Sequence, residues 1–334
     1  MILISSREDA FDTNHGIGLI LDRLETEVNF EVAQSRLLRP VDSFYSFFKV
    51  LLYFVVGIFR KGESYKTAIL IDDWRLIGGI RVSQLRSLRL LHIDSRYRYS
   101  LNRYLRNKEI YTLLKVLFYL VFETIMFKTI KTVLVSSEDI RPFSRPDMVT
   151  VIPNGVMPPT SDVKIDGELR SATFYGNMIY AENRECANFT DTFISPILNK
   201  YNIPLTLAGA NSHVLQPRNS VIYGRFDDIT SFLAEHDILM SYLLSGAGIK
   251  NKVLEAMSHG LIVIGTSYSF DGINEAVSWK NCIRVTDFIE LEIALDRLAK
   301  MTSTEIVEMR SQSVEVAAKY SWEQTINKYI EFFG

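Results

Sequence analysis

Ser241-Tyr242-Leu243-Leu244-Ser245-Gly246-Ala247-Gly248-Ile249-Lys250-Asn251-Lys252-Val253-Leu254-Glu255-Ala256-Met257-Ser258-His259-Gly260 reads as the end of a strand, a loop of small residues and a helix. The strand is expected over 238–242, and the helix begins near Ile249 and runs through 250–259. Glycine lets the backbone approach a ligand closely, and the amides of a first helical turn form a ready anion site. Lys250 and Lys252 add positive charge beside that turn, and Glu255, about two turns in, can accept two hydroxyls of a ribose. A diphosphate next to a ribose is the outline of a nucleotide-sugar. The alternative is an ordinary turn.

Outward from this stretch, short β-branched runs alternate with helix-length segments. Strands are expected over 2–5, 30–34, 67–71, 88–93, 133–136 and 149–152, then over 172–175, 205–208, 221–223, 238–242, 262–266 and 282–285. Helices are expected over 17–27, 41–59, 95–106 and 109–129, then over 182–200, 229–235, 250–259, 271–277, 288–300 and 304–320. Such alternation predicts α/β architecture with parallel sheets and right-handed crossovers. The turn-rich segment Pro153-Asn154-Gly155-Val156-Met157-Pro158-Pro159 ends the first series. The expected division is an N-terminal domain over 1–155, a C-terminal domain over 156–320, and a last helix over 321–334 that packs back on the first domain.

A chain of 334 residues, 47% hydrophobic and 23% charged, suits two globular domains. Its net charge of -2 argues against nucleic acid as a partner held by bulk charge. Cys186 and Cys282, the two cysteines, have neither disulfide-framework nor metal-ligand spacing, and the five histidines are scattered. The N-terminal Met-Ile-Leu-Ile meets charge at once and reads as a first strand, so a cytoplasmic location is expected. Arg75, Arg81, Arg86, Arg89, Arg96, Arg98, Arg103, Arg106, Lys108 and Lys115 form a basic stretch: a solvated face, or a contact with anionic phospholipid or a phosphate-bearing acceptor. Two apolar segments, 44–59 and 111–131, are short or interrupted for a membrane span and read as core helices or as helices lying in a membrane interface.

The run Gly248-Ile249-Lys250-Asn251-Lys252-Val253-Leu254-Glu255-Ala256-Met257-Ser258-His259-Gly260, followed by Ile262-Val263-Ile264-Gly265-Thr266 and Gly272, resembles the donor-site signature of family 4 retaining glycosyltransferases (glycosyl transferases group 1) of GT-B fold. Val151-Ile152-Pro153-Asn154-Gly155-Val156, Phe174-Tyr175-Gly176-Asn177-Met178, Gly224-Arg225-Phe226 and Ser321-Trp322-Glu323 resemble further landmarks in family order. The likeness is close over 150–334 and holds only in outline over 1–149. It implies two Rossmann-like doubly wound domains with an interdomain cleft, the second holding a nucleotide-sugar donor and the first an acceptor. It also implies that no metal or other cofactor is needed, because helix dipoles and basic side chains neutralise the departing diphosphate.

By family role Glu255 would bind the ribose, and the backbone around Gly246, Ala247, Gly248 and Ile249 would meet sugar or phosphate, with Lys250 nearby. Gly176 and Asn177 would form the first loop of the donor domain. Many relatives have a second glutamate eight residues before the one at Glu255; Ala247 stands there. The Arg–Lys pair that relatives often carry after that first loop is also missing, leaving Arg184 or Lys252 for the phosphates. In the N-terminal domain, Asp12-Thr13-Asn14-His15-Gly16-Ile17-Gly18 looks like the glycine loop facing the diphosphate, through Gly16 and Gly18. The strand ending Leu90-Leu91-His92-Ile93-Asp94 would present His92 or Asp94 as catalytic groups.

The expected activity is hexosyl transfer to a glycan or lipid-linked acceptor in bacterial surface-polysaccharide synthesis, with peripheral contact at the inner membrane. A GT-B nucleotide-sugar epimerase and a non-catalytic GT-B partner subunit remain the alternatives.

Overall fold

The structure, a computed structural model, describes residues 2–5, 31–34, 69–71, 88–92, 95–140, 144–160, 162–163 and 165–333. The chain divides into two compact units, Met1–Asn154 with Thr325–Gly334, and Gly155–Gln324.

The first unit is built on six parallel strands, β1 (Ile2–Ser5), β2 (Glu31–Gln34), β3 (Ile69–Ile71), β4 (Leu88–His92), β5 (Lys131–Leu134) and β6 (Val149–Val151). Their order is β2-β1-β3-β4-β5-β6, with direction of growth reversing at β1. A hairpin of α1 (Arg96–Asn107) and α2 (Ile110–Thr129) connects β4 to β5. Ser95 caps α1 by accepting from the Arg98 amide at 3.0 Å, and Lys108 ends it in the left-handed region at φ 55°. The helix periods expected at 17–27 and 41–59 lie outside the described residues.

The second unit carries β7 (Ala172–Tyr175), β8 (Leu205–Ala208), β9 (Val221–Gly224), β10 (Ile238–Ser241), β11 (Ile262–Gly265) and β12 (Ile283–Arg284). The order β12-β11-β10-β7-β8-β9 is parallel throughout, the doubly wound arrangement whose halves diverge from β7 and β10. Strands β7, β10 and β11 are buried at every position, which explains why they read as unbroken apolar runs with small polar insertions such as Thr173. Its helices are α3 (Ala181–Phe189), α4 (Ser195–Lys200), α5 (Ile229–Ala234), α6 (Asn251–Ser258), α7 (Phe288–Leu298) and α8 (Ser303–Ala318), and the last helix, α9 (Trp322–Phe333), belongs from Thr325 onward to the first unit.

Two expectations for this unit need correction. The helix expected over 182–200 is interrupted by a π-turn, Thr190–Ile194. There the buried Asp191 accepts from the Arg218 and Asn219 amides, both at 2.9 Å, and from Ser220 Oγ at 2.7 Å. The helix expected over 271–277 is replaced by turns following a short 3-10 segment, Ser267–Phe270. Gly272 sits at φ +78°, and Asn281 holds the segment from outside it, accepting from the Val277 amide and donating to the Glu275 carbonyl.

Candidate functional site

In an open parallel sheet the carboxyl ends of the two strands where the winding reverses leave a crevice for ligands. In the second unit those strands are β7 and β10. β7 runs into Gly176-Asn177, and β10 runs through Ser245-Gly246-Ala247-Gly248 into α6. The buried Tyr175 hydroxyl lies 3.0 Å from Glu255 Oε2 and 2.9 Å from the Lys252 carbonyl oxygen, linking the end of β7 to α6. Lys252 Nζ donates to Asn183 Oδ1 at 2.7 Å and stands 4.6 Å from the centre of the Phe174 ring. Gly176 makes room for this cluster: a Cβ there would come within 2.9 Å of both Lys252 Nζ and Asn183 Nδ2. Gly209, at φ +110°, brings the end of β8 against the same loop, where a Cβ would meet the Gly176 carbonyl oxygen at 2.3 Å.

Burial lowers the Lys252 ammonium to about 8, aided by the like charge of Lys250 and opposed by Cys186 and Glu255. The Glu255 carboxyl is pushed up by burial, against the Tyr175 hydrogen bond and the Lys252 charge. Burial also raises the Tyr175 phenol well above its ordinary value, so Tyr175 acts as a neutral donor. The result is a cation whose one hydrogen-bond partner in the cluster is a neutral amide, three positions from a half-buried carboxylate. A charge drawn partly out of water without full compensation is costly, and an anionic ligand would supply what is missing.

The remaining expected residues fall into three groups. Lys250 is the N-cap of α6 but folds back, its ammonium donating to the Ala247 and Gly248 carbonyls at 2.7 and 2.8 Å and so fixing the loop. Gly246 and Gly248 are buried, Ala247 half-buried, and Ile249 is a core residue. Arg184 braces the turn after Gly176 by donating to the Met178 and Ile179 carbonyls at 2.8 and 2.7 Å, while Asn177 Oδ1 accepts from the Ile179 amide and from Asn211. In the first unit His92 closes β4 at 8% exposure; its Nε2 is 3.3 Å from Glu123 Oε1 of α2, off the line of a hydrogen bond, and its ring meets Phe127 edge-on. Gly16, Gly18 and Asp94 lie outside the described residues. Among the described residues no group of three or more His, Cys, Asp or Glu side chains could hold a metal.

Sequence reasoning omits Tyr175 and Asn183 from the site. Tyr175 falls in the strand expected over 172–175 and Asn183 in the helix expected over 182–200; the one available signal is that both flank Gly176 within eight residues.

Residues 170–300, which contain this cluster, match the sequence model of the family described as Glycosyl transferases group 1. A comparison with curated proteins found no match. Among solved structures, the chain resembles sucrose-phosphate synthase from Thermosynechococcus elongatus at a TM-score of 0.66 and 11% identity, over 99% of this chain and 98% of that one. HepE from Anabaena, solved with UDP and glucose, aligns at a TM-score of 0.63 and 12% identity, over 99% and 98%. TarM aligns at 0.57 and 12% identity over 80% of this chain and 54% of that one, so the chain spans about half of TarM's length. The two parallel α/β units therefore make a GT-B fold with Rossmann-like lobes. The second lobe is the one similar to glycosyl transferases group 1.

Proposed function

We propose that the chain is a glycosyltransferase that takes a hexosyl group from a nucleotide-sugar donor and transfers it, with retention and without a metal, to a glycan or lipid-linked acceptor in bacterial surface-polysaccharide synthesis. The observation that carries this reading is the Lys252–Asn183–Gly176 cluster beside Tyr175 and Glu255, where the winding of the second sheet reverses. Glu255, with Oε2 held by Tyr175, offers Oε1 to the ribose hydroxyls. Lys252 faces the diphosphate, and the backbone of Gly246, Ala247 and Gly248 meets the sugar.

In the transfer, the bond from C1 of the sugar to the diphosphate oxygen breaks while the acceptor hydroxyl oxygen bonds to C1 on the same face. The hydroxyl proton passes to the departing diphosphate. Charge develops on that diphosphate as an oxocarbenium-like transition state forms, and a fixed ammonium at hydrogen-bond range lowers its energy. On this reading the protein works in the cytoplasm, at the membrane that carries its acceptor. Wild-type protein incubated with labelled nucleotide-sugars and a lipid-extract acceptor should release nucleoside diphosphate and yield a labelled glycan of unchanged anomeric configuration. An epimerised donor instead would make the protein an epimerase. Ala247, which puts no carboxylate where relatives have one, favours a second reading as a donor-binding partner subunit; binding with no turnover is its signature.

A further inference from the structure

In α2, Ile110, Leu114, Leu117, Val121 and Ile125 follow one another at helical spacing, and their exposures are 75, 52, 52, 60 and 54%. They form one continuous aliphatic line about 22 Å long at 1.5 Å per residue, with Lys128 as the first charge on it. Leu105, 53% exposed at the end of α1, lies at the same end of the hairpin as Ile110. Single exposed leucines are ordinary, whereas a contiguous line marks a contact surface.

The helix is long and apolar enough to cross a bilayer by composition alone. Its opposite face forbids that. Glu123, 2% exposed, accepts from Ser95 Oγ and from the Tyr97 amide, both at 2.9 Å, tying α2 to the start of α1. Thr112, Val116, Met126 and Phe127 are buried on that side, and β5 begins directly after the helix and pairs with β4. The helix is thus a crossover of the sheet, anchored along one side and apolar along the other.

The rim of the exposed side is cationic. Arg103, Arg106 and Lys108 are exposed at the hairpin end, Lys115 lies 4.3 Å from the Tyr111 ring, and Lys128 is exposed at the far end. The exposed acid on the hairpin is Glu109, which accepts from Thr112 Oγ1. We infer that the α1–α2 hairpin docks this protein on an anionic lipid bilayer, with Ile110, Leu114, Leu117, Val121 and Ile125 entering the headgroup–acyl boundary and the arginines and lysines on lipid phosphates. An apolar face flanked by arginine and lysine suits an anionic interface, where buried apolar area and charge attraction add. A helix held in place by the fold needs no ordering on contact.

The test is flotation of the full chain with vesicles. Wild type should float with vesicles rich in phosphatidylglycerol, far less with phosphatidylcholine alone, and less again at high salt. The double variant Leu117→Gln, Val121→Gln should lose at least about fivefold of bound protein at an unchanged melting temperature, since both side chains are exposed. Arg103→Gln with Arg106→Gln should abolish the preference for anionic vesicles. Three results would overturn the inference: wild type left unbound by anionic vesicles, the double variant floating as well as wild type, or a dimer in gel filtration that the double variant splits, which would mean a second copy covers the stripe. Nucleotide binding is a separate readout, so a chain that floats but binds no donor would sink the transferase reading and leave this one standing.

Discussion

Lys252 and Glu255 are three residues apart on α6 and reach Gly176, Asn183 and Tyr175 only through the fold. The sequence marks the first two and Gly176 by motif spacing. It is silent on Tyr175 and Asn183, whose roles depend on which helix packs over the end of β7. Because the Lys252 ammonium is held near 8 and a bound diphosphate would raise that value, donor affinity should be full below about pH 8 and fall as pH rises. Titrations should show roughly tenfold weaker nucleoside diphosphate binding per pH unit above it. Lys252→Met should bind weakly and show no such dependence; a wild-type affinity that holds level through pH 9 would remove Lys252 from the phosphates. Tyr175→Phe should weaken the donor roughly two- to tenfold, since one hydrogen bond to Glu255, about 0.5–1.5 kcal/mol, is lost.

At the scale of elements, the β7, β8, β10 and β11 runs are legible because strands buried on both faces read as apolar segments of strand length. The π-turn at Thr190–Ile194 and the loop at 271–277 are not legible, because Asp191 and Asn281 act there on backbone amides that only the folded chain brings near. Helix α8 shows the same kind of tertiary control. Arg310, 2% exposed, donates through Nε to the Gly260 carbonyl at 2.7 Å and through Nη1 to Asp237 Oδ1 and the Asp166 carbonyl, both at 3.1 Å. Removing one member of a buried pair strands the other. Arg310→Ala should cost about 3–5 kcal/mol in urea unfolding of the second unit; a loss below about 1 kcal/mol would show that Asp237 finds solvent.

On the scale of the whole molecule, alternation of strand and helix suffices to predict two parallel α/β units, since any such chain must cover both faces of each sheet. The strand orders are not readable that way; they emerge from which crossover goes left and which goes right at β1 and β7. The second unit also encloses both cysteines, with burial pushing the Cys186 thiol up to about 12 and the Cys282 thiol up to about 11. Neither should react with a disulfide reagent in the native protein, and both should after unfolding. The central claim, that the reversal of winding between β7 and β10 holds a nucleotide-sugar, is tested most directly by calorimetric titration of wild type and Glu255→Ala against a panel of nucleoside diphosphate sugars. One donor should bind wild type and lose at least about tenfold in the variant, the roughly 1–3 kcal/mol left when a ribose loses its acceptor. Equal affinity of the two proteins for that donor would contradict the account.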